Sequence, residues 1–434
     1  MTYEKAVKTI HSRLKFGVKP GLSRMKALLS ELLNVQNDLK YIHVAGTNGK
    51  GTTCVLIAEA LKKSGYKTGL FMSPFVTDFR ERIQINRKMI PKKKLSEFTE
   101  KILPIVKKLD SKGEFITEFE FITALAFCYF ASENCDIVVL ETGLGGRLDS
   151  TNIIKTPLAS VITHISYDHQ AVLGNTLMEI ASEKSGIIKK NGRTVCYPLQ
   201  NNEVLSVLIQ KSAQMNNTFY MLNSGCVKIL KSDIYGSTFL YGETNITIPF
   251  AGEHQVYNAV TAIETLDVLK NQGFKITQKQ IISAFKTARL AARQELLSQE
   301  PMIILDGSHN ESGINALSHT IKSMDKKGKV YSIMGMLEDK EHKKSLECIA
   351  PVFDTIFTVK INNNRSLCAS QLAKEASLYT KNVLSADSID DAIKKVFLKI
   401  KKNDILIVCG SLYLAGEIRP KLINEIKNRQ NKVY

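Results

Sequence analysis

Apolar runs of strand length alternate with amphipathic segments of helix length along most of this 434-residue chain. That alternation constrains the fold most, because parallel strands need long crossovers and helices are the usual crossover. "YIHVA", "KTGLFM", "DIVVLET" and "LASVITHIS" read as strands of a mostly parallel sheet, with helical patterns at 52 to 64, 93 to 109, 117 to 131 and 176 to 185. Residues 226 to 250 break the pattern. There "STFLYGETNITIPF" alternates apolar and polar residues about a Gly-Glu-Thr-Asn turn, which predicts a β-hairpin. Helices are predicted at about 254 to 270 and 277 to 289, before the alternation restarts with "MIILDGS", "VYSIMGM", "DTIFTVK", "NVLSA" and "ILIVCGS". The prediction is an α/β chain of two domains. Residues 1–296 form a large domain with a mostly parallel sheet and a small β-hairpin region, and 297–434 a smaller, doubly wound, Rossmann-like α/β domain.

An apolar fraction of 44% with 23% charged residues suits globular domains rather than a disordered chain. No apolar run approaches the roughly 18 residues a bilayer crossing needs, and the charged start "MTYEKAVKTI" is unlike a signal peptide. The expectation is a cytoplasmic protein that engages no membrane. Eight scattered cysteines, none in a C-x-x-C pair, predict buried reduced thiols rather than disulfides or a zinc site. The formal charge is +17, and residues 1–110 hold 22 Lys and Arg against 9 Asp and Glu. Such a basic lobe attracts anions. Its cations are dispersed rather than interleaved with aromatics, which favours a solvated face or small anionic substrates over nucleic acid.

Directly after the first strand comes "HVAGTNGKGTTC", residues 43–54. Gly46, Gly49 and Gly51 let backbone N–H groups turn toward an anion, and the following helix offers its positive end. A standard phosphate loop has four residues between its first Gly and its Gly-Lys pair. Here only Thr47 and Asn48 intervene, and Gly51 separates Lys50 from Thr52. Lys50 is placed to neutralise outer phosphates, and Thr52 or Thr53 to offer a hydroxyl to magnesium. The large domain is therefore read as a P-loop-type ATPase domain.

Other candidates fall at the carboxyl ends of predicted strands, where ligands of open parallel sheets bind. Glu141 opens "ETGLGGRLDSTN" and suits a metal ligand beside a phosphate loop. His169 in "SYDHQAVLG" is a candidate ligand for a cation or phosphate, whereas His164, inside the predicted strand, reads as structural. Lys184 in "SEKSGI" lies near the end of an amphipathic helix, where lysines are more often on the surface. In the smaller domain Asp306, His309 and Asn310 line the turn "LDGSHNESGI", and Gly410-Ser411 opens a helix able to receive a carboxylate. An anion site in each half fits an enzyme that joins a phosphorylated acid to an amino acid.

These motifs resemble the folylpolyglutamate synthase and dihydrofolate synthase family, a branch of the Mur-ligase group of ATP-dependent amide-forming enzymes. The likeness keeps its order through "KPGLSRMKALL", the GTNGKG loop, "SPFVTDFRERIQIN", "FEFITALAF", "ETGLGGRLDSTN", "SYDHQAVLG", "SEKSGI", "AGEHQVYNA", "DGSHN" and "GSLYLAGEIR". It implies that ATP phosphorylates a carboxylate on folate or dihydropteroate, and that the amine of L-glutamate attacks the acyl phosphate. It also implies roles. The loop from Gly46 to Thr53, with Lys50 at its centre, would hold the phosphates, and Asn258, Arg293, Asp306 and His309 would surround the nucleotide, the last two near the reacting centre. Two magnesium sites are expected, one at Thr52 and Glu141 with Ser73 nearby, the other at Glu141, His169 and Lys184. The lysine matching Lys184 is typically carbamylated in this family. Asp149 and Ser150 would face the pterin, and Ser411 the incoming glutamate. Lys50, His169, Lys184, Asp306 and His309 form the expected catalytic set of a monomer acting on small molecules.

The chain departs from the family pattern at three places. Phe75 follows "SP" where the family often has His, which removes a polar group from that position. A common Pro-Gly-Arg lead into the C-terminal domain is "LAARQELL" here, keeping Arg293 and predicting a more helical hinge. Glu311 replaces a common Pro in an apparent surface turn, with little expected effect. A ligase for cell-wall nucleotide precursors fits less well, because Gly51 rather than Thr follows Lys50. A nucleic-acid ATPase would need a guanine motif or a dense basic-aromatic surface, and the sequence has neither.

Overall fold

The computed structural model describes residues 1–17, 19–325, 327–338 and 342–432. It divides into two compact units, the first comprising Met1–Lys228, Leu240–Ile246 and Tyr257–Ala288, the second Ile229–Phe239, Thr247–Val256 and the residues from Arg289 on. The first unit is built on a sheet of β1 (Tyr41–Ala45), β2 (Thr68–Phe71), β3 (Ile83–Ile85), β4 (Lys88–Met89), β5 (Ile137–Glu141), β6 (Ala159–Ile162), β7 (Arg193–Cys196) and β8 (Thr218–Met221). Its spatial order is β4-β3-β2-β5-β1-β6-β7-β8. The strands from β2 to β8 in that order run parallel, while β3 and β4 form an antiparallel edge.

Every residue of β1 and β5 is buried, as the unbroken apolar runs of central parallel strands require. On one face, the helix Glu118–Ser132 inserts Phe121, Phe127 and Phe130 into a core that includes Tyr41 and Phe71. Each such buried aromatic contributes about 2–3 kcal/mol of apolar transfer. A capping box between Thr117 and Glu120 fixes where that helix begins. Because β5, β1 and β6 are parallel neighbours, the loops at 46–49, 142–149 and 163–169 leave one edge of the sheet. β6 ends at Ile162, so His164 lies beyond the strand rather than within it.

β9 (Val227–Asp233), β10 (Gly236–Tyr241) and β11 (Thr244–Ile248) form a separate sheet in the order β11-β10-β9, one strand more than the predicted hairpin. The second unit carries β12 (Glu295–Gln299), β13 (Met302–Leu305), β14 (Val330–Met334), β15 (Thr355–Thr358), β16 (Val383–Ser385) and β17 (Ile405–Cys409), ordered β12-β13-β17-β14-β15-β16. All are parallel except β12, which pairs antiparallel with β13. β13 and β17 are adjacent, so Asp306 and Ser411 follow neighbouring strand ends.

The structure corrects three further expectations. Residues 288–294 are turn and coil, not helix, and Ala292 (φ 54°) and Gln294 (φ 48°) take left-handed conformations. The tight turn is thus kept although its glycine is not. Glu311 is the first residue of the helix Glu311–Ser323, behind the N-cap Asn310, where proline and an acid are both favoured. All eight cysteines are free, but Cys226 and Cys368 are exposed rather than buried. Among the described residues no helix is long and apolar enough to cross a membrane.

Candidate active site

The loop after β1 is laced to the loop after β6. Thr47 and Asn48 donate their N–H groups to His164 O at 2.9 and 3.2 Å. Thr47 Oγ1 donates to Ser166 O at 3.0 Å and accepts from Ser166 N at 3.1 Å. Glycine is required twice. A Cβ on Gly46 (φ 155°) would collide with Thr163, and one on Gly49 (φ 87°) with the Asn258 amide. Asn258, in the helix Glu253–Lys270, is thereby brought against the loop. The helix Lys50–Lys63 starts at once, with Thr52 and Thr53 buried in its first turns.

Two lysine side chains converge on one carbonyl. Lys50 Nζ donates to Gly46 O at 3.0 Å and to Thr47 O at 3.1 Å, and Lys184 Nζ donates to Gly46 O at 2.8 Å. Lys184 is carried by the helix Leu177–Ser185, whose start is set by a Thr176–Glu179 capping box, and it is only 4% exposed. The sequence pointed to a surface lysine; the structure buries it. Burial pulls its pKa down to about 7, and the Lys50 charge adds to the fall, against weaker opposing pulls from Asp168 and Asp149.

At the end of β5, Glu141 Oε2 accepts Ser73 N at 3.0 Å, and Ser73 Oγ is buried with no partner among the described residues. Magnesium is typically held by one or two carboxylates together with phosphate oxygens and water. The Glu141 carboxylate and the orphaned Ser73 hydroxyl suit that donor set. Among the described residues no three His, Cys, Asp or Glu side chains gather as a protein-only metal cage. Thr53 Oγ1 is directed at Asn258 O, at 3.5 Å. As an ammonium Lys184 only donates, so it fits a metal only once converted to a carbamate.

Asp149 and Ser150 are buried in the turn beyond the second glycine cluster. Asp149 accepts from Leu144 N at 2.8 Å, Thr151 N at 3.0 Å and Thr151 Oγ1 at 2.5 Å, capping the short helix Ser150–Ile153. Burial raises its pKa against these hydrogen bonds. His169 takes a left-handed conformation (φ 52°), its ring is 45% exposed, and its Nε2 is 3.9 Å from Asp168 Oδ1. Asp168 is the residue that reading the sequence missed. It sits beside His169 in a quoted motif, yet only the fold brings it near Lys184.

In the second unit Asp306, 3% exposed, accepts Gln294 N at 2.9 Å and Ser308 N at 2.8 Å. The left-handed turn that presents Gln294 also sets Arg293, whose Nη1 donates to Ala292 O at 3.1 Å. His309 Nδ1 lies 2.9 Å from Gly307 O. Gly410 N donates to Ser308 O at 3.2 Å, which ties the β17 turn to the β13 turn, and Ser411 Oγ caps the following helix by accepting Tyr413 N at 3.1 Å. Lys50, Thr52, Glu141, Ser73, His169, Lys184, Asp149, Ser150 and Asn258 therefore belong to the first unit, and Arg293, Asp306, His309 and Ser411 to the second.

Residues 44–266 match the Mur ligase middle domain and residues 292–412 the Mur ligase glutamate ligase domain. The chain is 35% identical over 430 residues to the dihydrofolate synthase/folylpolyglutamate synthase of Bacillus subtilis, covering 97% of this chain and 99% of the relative. The chain belongs to the folylpolyglutamate synthase/dihydrofolate synthase family. It is accordingly an ATP-dependent ligase of the Mur type. Its fold agrees with solved members. Mycobacterium tuberculosis folylpolyglutamate synthase complexed with ADP and AMPPCP superimposes with a TM-score of 0.86 at 28% identity, covering 96% of this chain and 98% of that one. E. coli FolC in complex with DHPP and ADP does so with a TM-score of 0.85 at 26% identity, covering 98% of both chains. One departure from the family pattern now has a physical description. Phe75 packs on the aromatic core beside Phe79, and the Arg82 guanidinium lies 5.3 Å from its ring centroid.

Proposed function

We propose that this family member phosphorylates the carboxylate of a dihydropteroate or folate substrate with ATP and joins it to L-glutamate through the acyl phosphate. The observation that carries the reading is the Lys50 ammonium and the buried Lys184 amine, both held on Gly46 O within the loop. Phosphoryl transfer to a carboxylate presses two anions together, so it needs fixed positive charge and aligned reactants more than covalent help. Lys50 and the amides of Gly46 to Thr53 hold the β- and γ-phosphates, and Asn258 packs beside the nucleotide. Thr53 is engaged with Asn258, which leaves the Thr52 hydroxyl, together with Glu141 and Ser73, for magnesium. Bound magnesium would neutralise charge on the phosphate oxygens.

His169 and a carbamylated Lys184 complete a second metal position with Glu141 in this reading. A buried amine whose pKa is near 7 is substantially neutral at neutral pH, the form that reacts with carbon dioxide. Asp149 and Ser150 face the pterin. In the second unit, Arg293 and Asp306 hold the nucleotide, His309 stands near the reacting centre, and the helix start at Ser411 receives the carboxylate of glutamate. The test offers ATP, magnesium and glutamate with dihydropteroate or tetrahydrofolate in separate assays. ADP release should require at least one pterin acid and yield its glutamyl amide; release indifferent to both defeats the proposal.

A further inference from the structure

We propose that His43 is a positioning residue that fixes the Asp149 carboxylate, and with it the Ser150–Ile153 turn, on the pterin side of the site. His43 lies inside β1, fully buried, and no part of the phosphoryl-transfer reading uses it. Its Nε2 is 2.8 Å from Thr151 Oγ1, and Thr151 Oγ1 donates to Asp149 Oδ1 at 2.5 Å. Valence gives this chain a direction. Burial raises the Asp149 pKa, but the carboxylate also accepts the N–H groups of Leu144 and Thr151, one on each oxygen, and those donors oppose that rise and mark both oxygens as acceptors. The single proton of the Thr151 hydroxyl goes to that carboxylate. Its oxygen can then only accept from the ring, so His43 must be the Nε2–H tautomer.

A second observation agrees. In that tautomer Nδ1 is a bare acceptor, and His43 Nδ1 is buried with no partner among the described residues. Buried acceptors are rarely left this way. Here the orphan follows from committing the one N–H of the ring to Thr151. Burial also keeps the ring neutral, with its pKa pulled down to about 3, so protonation does not break the chain near neutrality. β1 therefore carries the phosphate loop at its end and, through the His43 ring, holds the Asp149 turn beside it.

The inference rests on reading Asp149 and Ser150 as pterin-facing, and the experiment separates the two. His43→Leu should raise KM for the pterin substrate about tenfold, the effect of losing one hydrogen bond to a charged chain, and leave KM for ATP unchanged. Thr151→Val should reproduce the shift, and His43→Gln, which keeps an N–H near the Nε2 position, should recover most of it. If Asp149→Asn moves the pterin KM while His43→Leu does not, the positioning role is overturned. If Asp149→Asn leaves that KM unmoved, the pterin-side reading fails and takes the inference with it. Nitrogen-15 NMR of the unsubstituted protein supplies a check that no variant's folding can spoil. A bare Nδ1 and a protonated Nε2 on His43 are expected, and the reverse pattern overturns the proposal.

Discussion

The loops at the two strand edges differ in how far along the chain their side chains reach. In the first unit the bonds reach far along the chain: Lys184 to Gly46 O, Ser73 N to Glu141, His43 to Thr151. In the second the corresponding side-chain bonds span fewer residues, with Asp306 holding Ser308 N and Gln294 N, His309 beside Gly307 O and Ser411 capping Tyr413, and the long link is a main-chain one, Gly410 N to Ser308 O. Long-range bonds set side chains against one another before any ligand arrives, the condition for electrostatic preorganisation. Local bonds form in almost any turn of that shape. The first edge thus joins side chains from distant parts of the chain, and the second joins its two turns chiefly through the main chain.

The contrast is most easily broken at the lysines. Lys50→Ala and Lys184→Ala should each lower kcat about a thousandfold or more, measured as pterin-dependent ADP release, and added bicarbonate should restore nothing to the Lys184 variant. An active Lys184→Ala enzyme would remove the carbamate from the mechanism. A smaller effect should appear in stability. With the Lys184 pKa near 7 in the folded chain against an ordinary 10.5, the unfolded chain holds a proton the folded one lacks between those values. Stability should therefore rise with pH across that window, by up to about 1.4 kcal/mol per unit from this group, and stop responding to it below pH 7. Urea midpoints of the parent, kept free of carbon dioxide so that Lys184 is the amine, and of Lys184→Met at pH 7 and 9 measure it; equal slopes would count against the lowered pKa. The smallest effect belongs to the second unit. Ala292→Gly should raise the unfolding free energy by up to about 1 kcal/mol, seen as a higher urea midpoint, because alanine is strained at a left-handed φ.

Much of this architecture is legible in sequence, because central strands and phosphate loops are written in consecutive residues. β1, β5, β13 and β17 coincide with predicted apolar runs, and the glycines at 46 and 49 occupy backbone positions that tolerate little else. What escapes is set by distant neighbours. β3 and β4 are too short for periodicity to register, and β8 is an edge strand with exposed ends. Nothing beside Lys184 in the chain announces that it is buried against Gly46, a residue 138 positions away. Asp168 and His43 escape for the same reason, since each acquires a role only from a loop the fold brings to it. The hinge misleads differently: losing glycine suggests helix, yet the surrounding structure holds Ala292 in the conformation glycine would adopt.

The carbonyl of Gly46 is a counter-group that never titrates. A carboxylate in its place would cancel the Lys50 charge and surrender its grip on acidification. A main-chain oxygen does neither, so it restrains both side chains while leaving the Lys50 charge to act on an incoming anion. Because it belongs to the backbone, no side-chain substitution can delete that acceptor.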